Sequence, residues 1–372
     1  MYKPLFIAVF ILSFRIISAQ SIAEIAENIM FRDSIPEMAY AVVTKDSVFI
    51  KNVLGHHQIT EWNEKQNANL NDYFHLGSNT KAITGFVAAY LVENQKIKWD
   101  TKLFDVFPDL KDKSNPSYYH VTLEDLLSHR AKIQPFTSGD ESVNCPRFTG
   151  DKQEKRAKLA ECVLMLQPVE SDKNWNYSNA GVVIAACMLE KVCGKSWEKL
   201  VTEILKEKSE IDLVFGWPHR NFRNQPLGHW IRNGKLVPVP PNIKYDLSAL
   251  EPAGDISMNI GNFAKFIQLN IKGLAGEDNI LKAEMYQFLH TAKDEYAIGW
   301  VNDTKDGKQI SWHNGSAGTF YSLAHIDREK SIGYIILVNS GSKTAIEGVH
   351  EMLKKLIILP RIQKKIDSDA CS

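Results

Sequence analysis

Ser78 and Lys81 are three residues apart at the start of an apolar stretch, a spacing that places a hydroxyl and an amine on one face of a helix, one turn apart. Lys81 is the only charged residue between Leu76 and Val92. Burial and the positive end of a helix dipole both favour the neutral amine, and a neutral amine can take the serine proton. The Ser78 N–H, in the first turn, can point at a developing oxyanion. Spacing alone does not single the pair out, because Ser196–Lys199 and Ser340–Lys343 repeat it. Ser196 begins an amphipathic run and reads as an N-cap, and Ser340 follows a strand in a polar loop and reads as a solvated turn. Only Lys81 is embedded in apolar sequence.

Two further groups fit the same chemistry. Tyr177-Ser178-Asn179 precedes the apolar run from Ala180 to Val192, and a phenol near Lys81 can relay a proton to a leaving group while the asparagine amide orients a carbonyl or the lysine. His313-Asn314-Gly315-Ser316 ends an expected strand. Gly315 and Gly318 would let a substrate backbone lie against that edge, and the Ser316 N–H would supply a second oxyanion donor. Lys305-Asp306-Gly307 is a rival for this position, but its Asp-Gly falls where a hairpin needs a turn.

The order Ser-x-x-Lys, Tyr-x-Asn, His-x-Gly resembles the serine β-lactamase and penicillin-binding-protein superfamily, in its class C and D-alanyl-D-alanine carboxypeptidase branch. Phe74 to Gly77, Asp100 to Leu110, Leu123 to His129, Pro252-Ala253-Gly254, Gly299-Trp300 and the strand ending at Asn339 extend the likeness over about residues 38 to 355. The resemblance implies an α+β fold: an antiparallel sheet flanked by helices plus a mostly helical subdomain, with the site in the cleft between them. It implies Ser78 as nucleophile, Lys81 and Tyr177 as proton carriers, Asn179, His313, Asn314, Gly315 and Ser316 as substrate-binding residues, and no cofactor or metal. Two departures concern specificity. Histidine replaces the lysine typical of β-lactamases in the third motif, and a mostly neutral histidine attracts a drug carboxylate less well. Arg130-Ala131-Lys132 stands where many relatives have Thr-Ser-Gly, which adds positive charge to a loop expected near the cleft. The reading is therefore a hydrolase of amide, lactam or ester bonds, closer to a carboxypeptidase, D-amidase or esterase than to a dedicated β-lactamase. A penicillin-binding sensor with little turnover is the alternative.

The elements that must hold these groups follow from the hydrophobic pattern. Tyr40–Thr44 and Val48–Val53 read as a sheet-edge hairpin, and Ile83, Phe86, Val87, Tyr90 and Leu91 give the Ser78 helix one buried face. Strands at Ala297–Val301, Gln309–His313, Tyr321–Ile326 and Ile332–Asn339 and a helix at Thr344–Ile357 complete a sheet built from both ends of the chain. The sheet region is expected at about 20–75 and 290–360 and the helical region at about 76–289. Residues 1–19, with Lys3, the apolar run Leu5–Phe14 and Ala19, read as a signal for export to a periplasm or the medium, and 361–372 as a tail. Leu5–Phe14 is too short for a spanning helix, so no membrane span is expected after cleavage.

Across the 372 residues, 44 basic side chains balance 44 acidic ones, so no overall field draws the chain to nucleic acid; small molecules or short peptides, including cell-wall peptides and β-lactams, are the expected partners. The five cysteines are too few for a disulfide framework. Cys145 and Cys162 could bridge, and Cys187 and Cys193 read as buried thiols. His56-His57 and His350 lack further ligands at metal spacing and read as solvated. Gln225–Trp230 is either a wall of the site or a packed aromatic loop.

Overall fold

The computed structural model describes residues 22–62, 64–65, 67–137, 145, 148–243, 247–305 and 307–359; the expected signal segment and tail lie outside them. Among the described residues seven strands form one antiparallel sheet. They are β1 (Glu37–Thr44), β2 (Val48–Gly55), β8 (Glu295–Tyr296), β9 (Val301–Lys305), β10 (Lys308–Ser316), β11 (Tyr321–Asp327) and β12 (Ile332–Val338), in the order β2-β1-β12-β11-β10-β9-β8. The two ends of the chain meet where β1 pairs with β12, Met38 opposite Val338 and Thr44 opposite Ile332.

Side-chain alternation divides this sheet into two faces. Met38, Tyr40, Val42, Leu323, Tyr334, Ile336 and Val338 pack under the helix at 22–33 and the helix Lys343–Ile357. Ala39, Ala41, Val43, Ala324, Ile326, Ile335 and Leu337 face the larger core, against the helices Thr80–Glu93 and Ile260–Leu274. Between the ends of the sheet the chain supplies mostly helices, among them Lys152–Met165 and Asn179–Cys193. It also forms the short sheet β3 (Tyr73–His75), β7 (Ile256–Asn259), β4 (Val214–Phe215) and the hairpin β5 (His229–Arg232)–β6 (Lys235–Pro238). This is the α+β arrangement expected, an antiparallel sheet flanked by helices.

Three local expectations change. The Thr80–Glu93 helix is buried on nearly every side, because it runs through the centre of the molecule between the sheet and the helical layer, so one apolar face understated its role. Ser78 precedes this helix in a 3₁₀ turn, Gly77–Asn79, with Gly77 at φ +50. No single strand covers Ala297–Val301: the chain bends at Gly299 (φ +74), where a Cβ would stand 2.6 Å from the Lys81 carbonyl oxygen. The bend lets the sheet edge touch the backbone of the Ser78–Lys81 turn.

Cys145 and Cys162 are disulfide-bonded, Cys187 is buried and free, and Cys193 is half-buried and free. No helix of the described residues is long and apolar enough to cross a membrane.

Candidate active site

From Asp72 to Ala89 every residue is buried except Ser78. The serine is thus the one opening of this buried segment toward solvent. Two glycines make its position sterically possible. A Cβ on Gly315 of β10 would stand 2.0 Å from the Leu76 carbonyl oxygen and 2.5 Å from the Ser78 nitrogen, and one on Gly77 would stand 2.4 Å from the Ser316 nitrogen. Backbone therefore packs directly on backbone here, which brings the segments that carry the Ser78 and Ser316 amides together.

Lys81 is 1 % exposed, and its Nζ lies 3.1 Å from Ser78 Oγ, 2.7 Å from Asn179 Oδ1 and 2.6 Å from the Ala253 carbonyl oxygen. None of these partners is a carboxylate, and burial holds the Lys81 amine well below the usual lysine range. The coordination suits a neutral amine. Two N–H bonds go to Asn179 Oδ1 and the Ala253 carbonyl, leaving the lone pair for the Ser78 hydroxyl proton. Pro252-Ala253 grips the helix twice, since the Pro252 carbonyl accepts from Thr84 Oγ1 at 2.6 Å.

Tyr177 sits against Lys81, whose Nζ is 4.7 Å from its ring centre, and close enough to Ser78 for that side chain to influence its hydroxyl. Burial raises its pKa and outweighs the opposing effect of Ser78, so Tyr177 stays a phenol able to give a proton rather than a base. Asn179 begins its helix beside Ser178, which caps that helix by accepting from the Gly181 N–H at 2.9 Å. The Asn179 amide is already committed at both ends, to Lys81 and, through Nδ2, to the Phe136 carbonyl at 2.8 Å. It holds the lysine.

The third motif behaves differently from the expectation of a substrate-facing strand end. His313 to Ser316 lie within β10, where alternate side chains leave opposite faces. His313 points toward Tyr177, 6.3 Å between ring centres, but is 3 % exposed and has both nitrogens engaged. Nδ1, 2.6 Å from the Asn314 carbonyl oxygen, must carry the proton, so Nε2 accepts from the Tyr296 hydroxyl at 3.0 Å. Burial and the neighbouring Lys81 push its pKa down to about 3. It offers neither a charge nor an open nitrogen. Asn314 leaves the opposite face of β10, where Nδ2 donates to the Tyr321 hydroxyl at 2.9 Å, away from Ser78. Lys305, the rival position, is exposed at the far end of the β9–β10 pair, opposite Lys308.

Tyr296, His129 and Arg130 complete the surroundings; residue types alone did not mark Tyr296 and His129 as site residues, whereas Arg130 was expected in a loop near the cleft. The His129 ring lies 4.5 Å from Tyr177 and 4.4 Å from Tyr296, and its Nδ1 accepts from the Ser178 N–H at 3.3 Å. Arg130 donates to the carbonyls of Ser128, Tyr296 and Asp294 at 2.7–2.9 Å. Its charge therefore secures the start of β8 instead of lying open in the cleft; the exposed residue of that pair is Lys132. The other Ser-x-x-Lys pairs behave as ordinary structure. Ser196 Oγ caps the Lys199 N–H at 3.2 Å. Ser340, contrary to a solvated turn, is fully buried beside His229, whose Nδ1 bonds the Asn339 carbonyl at 2.8 Å. Within Gln225–Trp230, Gly228 and His229 are packed, a Cβ on Gly228 standing 2.6 Å from Thr319 Oγ1, while Gln225, Leu227 and Trp230 are half-buried.

The Beta-lactamase family model matches residues 22–357. This chain belongs to that family. It is 24 % identical over 350 residues to unguisins hydrolase ungD' of Aspergillus campestris, covering 87 % of this chain and 61 % of that protein, so the chain spans about three-fifths of that curated relative's length. The D-amino acid amidase of Ochrobactrum anthropi SV3, complexed with L-phenylalanine amide, superposes with a TM-score of 0.73 at 16 % identity, over 93 % of this chain and 99 % of the amidase. An octameric penicillin-binding protein homologue from Pyrococcus abyssi gives 0.72 at 19 % identity, over 91 % and 77 %. At these identities the two structures establish a shared fold.

Proposed function

We propose that this chain is a serine hydrolase whose Ser78 forms an acyl-enzyme with an amide or ester that carries no carboxylate beside the scissile bond. The observation that carries this reading is Lys81, buried, without a carboxylate partner among the described residues, and 3.1 Å from Ser78 Oγ. Ser78 Oγ attacks the carbonyl carbon as its proton passes to Lys81 Nζ, and the oxyanion is held by the N–H groups of Ser78 and Ser316. The leaving nitrogen or oxygen takes the Tyr177 phenolic proton while Tyr177 recovers one from the Lys81 ammonium, so the C–N or C–O bond to the leaving group breaks, the carbonyl re-forms as the Ser78 ester, and no net charge is left on the enzyme. Water then attacks the ester by the same relay in reverse.

The neutral, fully bonded His313 supports the substrate class, since a carboxylated β-lactam finds no cation in the third motif. D-Aminoacyl amides and simple esters fit better, in keeping with the name of the Ochrobactrum relative. Export belongs to the same proposal, supported by the pattern of residues 1–19; a mature N-terminus at Gln20, read by mass spectrometry, is its check.

The test sets purified protein against a D-aminoacyl amide, a p-nitrophenyl ester and a chromogenic cephalosporin. Amide or ester should be turned over at least about tenfold faster than the cephalosporin, and Ser78→Ala should lower turnover by about 10³-fold or more. Turnover that survives Ser78→Ala, or failure of every substrate together with no acyl adduct on Ser78, would overturn the proposal.

A further inference from the structure

Glu37, His57 and Asp72 converge under the end of the sheet, each buried, with their ligand-type atoms all within 4.8 Å of one another. Glu37 opens β1, His57 follows β2 and Asp72 immediately precedes β3, so strand pairing and not local sequence assembles them. His57 is 4 % exposed, which corrects its reading as a solvated histidine.

The cluster is unsatisfied in a way a hydrogen-bonded core does not tolerate. Glu37 is fully buried, and neither carboxylate oxygen meets a hydrogen-bond donor among the described residues; burial, and then the Asp72 carboxylate facing it at hydrogen-bond range, hold its pKa well above the usual carboxylate range. His57 Nε2 lies 3.1 Å from Asp72 Oδ2 but without hydrogen-bond alignment, and is likewise unpartnered. Asp72 itself is oriented by Asn69, whose backbone N–H donates to Oδ2 at 2.6 Å and whose Nδ2 donates to Oδ1 at 2.9 Å. Two carboxylates and an imidazole nitrogen converging on one buried point match the N/O donor set that zinc accepts. The 3.1 Å edge is close to the ~3.3 Å separation of ligands in a tetrahedron with bonds of about 2.05 Å.

We infer that Glu37, His57 and Asp72 bind one divalent cation of zinc type, a site separate from the Ser78 chemistry that braces β1, the loop after β2 and the strand leading into the nucleophile turn. The +2 charge compensates the two buried carboxylates, and a water would complete a four-coordinate shell. Because Asp72 lies only one short strand before Gly77, the ion's effect is expected on stability first.

The full chain, stripped with EDTA and dialysed, is titrated with zinc sulfate while bound metal is measured by mass spectrometry and unfolding by a thermal scan. One equivalent of zinc should bind and raise the midpoint, since a ligand specific to the folded state stabilises it. Glu37→Gln, nearly isosteric, should weaken binding at least about tenfold, and His57→Asn should do the same. A stripped protein that takes up no zinc and unfolds at the same temperature with or without it would show that the carboxyl groups share a proton, which overturns the inference. Zinc bound equally well by Glu37→Gln and His57→Asn, each with a native near-ultraviolet spectrum, would place the metal elsewhere and also overturn it.

Discussion

Lys81 and Arg156 are both buried basic side chains, and their surroundings make them opposites. Arg156, fully buried, is bonded by Glu190 at 2.5 Å, Glu198 at 2.8 Å and Glu251 at 3.2 Å. Lys81 is bonded by an amide, a carbonyl and a hydroxyl. Burial disfavours both charges; the carboxylates restore the arginine's, and the lysine has none to restore its own. A buried cation surrounded by acid joins helices, and one surrounded by neutral acceptors becomes a base.

The largest expected effect breaks the structural half of this contrast. Arg156→Met leaves the facing carboxylates without their cation, and should cost about 3–5 kcal/mol of stability in a denaturant titration. A loss under 1 kcal/mol would mean the carboxylates do not depend on Arg156. Next comes conversion of the catalytic half into the structural kind. Asn179→Asp places a carboxylate where Lys81 finds an amide, which favours the ammonium and raises its pKa. The base then needs a higher pH to be neutral, so the acid limb of the kcat/KM profile should move to higher pH by about two units, with a rate loss of up to roughly 100-fold, about 2.7 kcal/mol, at a pH below the limb. An unmoved limb would show that Lys81 is not the titrating base. Smallest is Tyr296→Phe. It removes the hydroxyl held by His313 without touching Lys81, and should change kcat/KM by less than about tenfold while leaving the acid limb in place. A shift of that limb would bring Tyr296 into the proton relay.

Much of this was legible in the residues. The β-branched and aromatic runs Tyr40–Thr44, Tyr321–Ile326 and Ile332–Asn339, bounded by turn residues, marked three strands of the sheet, and the structure buries them on both faces. Apolar sequence around Lys81 signalled its burial. The same reasoning missed Tyr296 and His129, since a buried tyrosine and histidine look like core unless their neighbours are known. It also grouped Asn314 with His313, although adjacent residues of one strand face opposite ways.

By itself, then, the sequence determined which groups could do chemistry near Ser78, because spacing along one turn is a local property; from residue type Gly315 is expected to leave room for a substrate backbone, whereas the space goes to the backbone of Leu76 and Ser78. Only the tertiary structure decided that Lys81 meets no carboxylate, that His313 is closed off by Tyr296 and Asn314, and that Glu37, His57 and Asp72 share one buried point. Charge state and access depend on which distant segments pack around a side chain, and packing of that kind is set by strand order and helix placement rather than by neighbours in the chain.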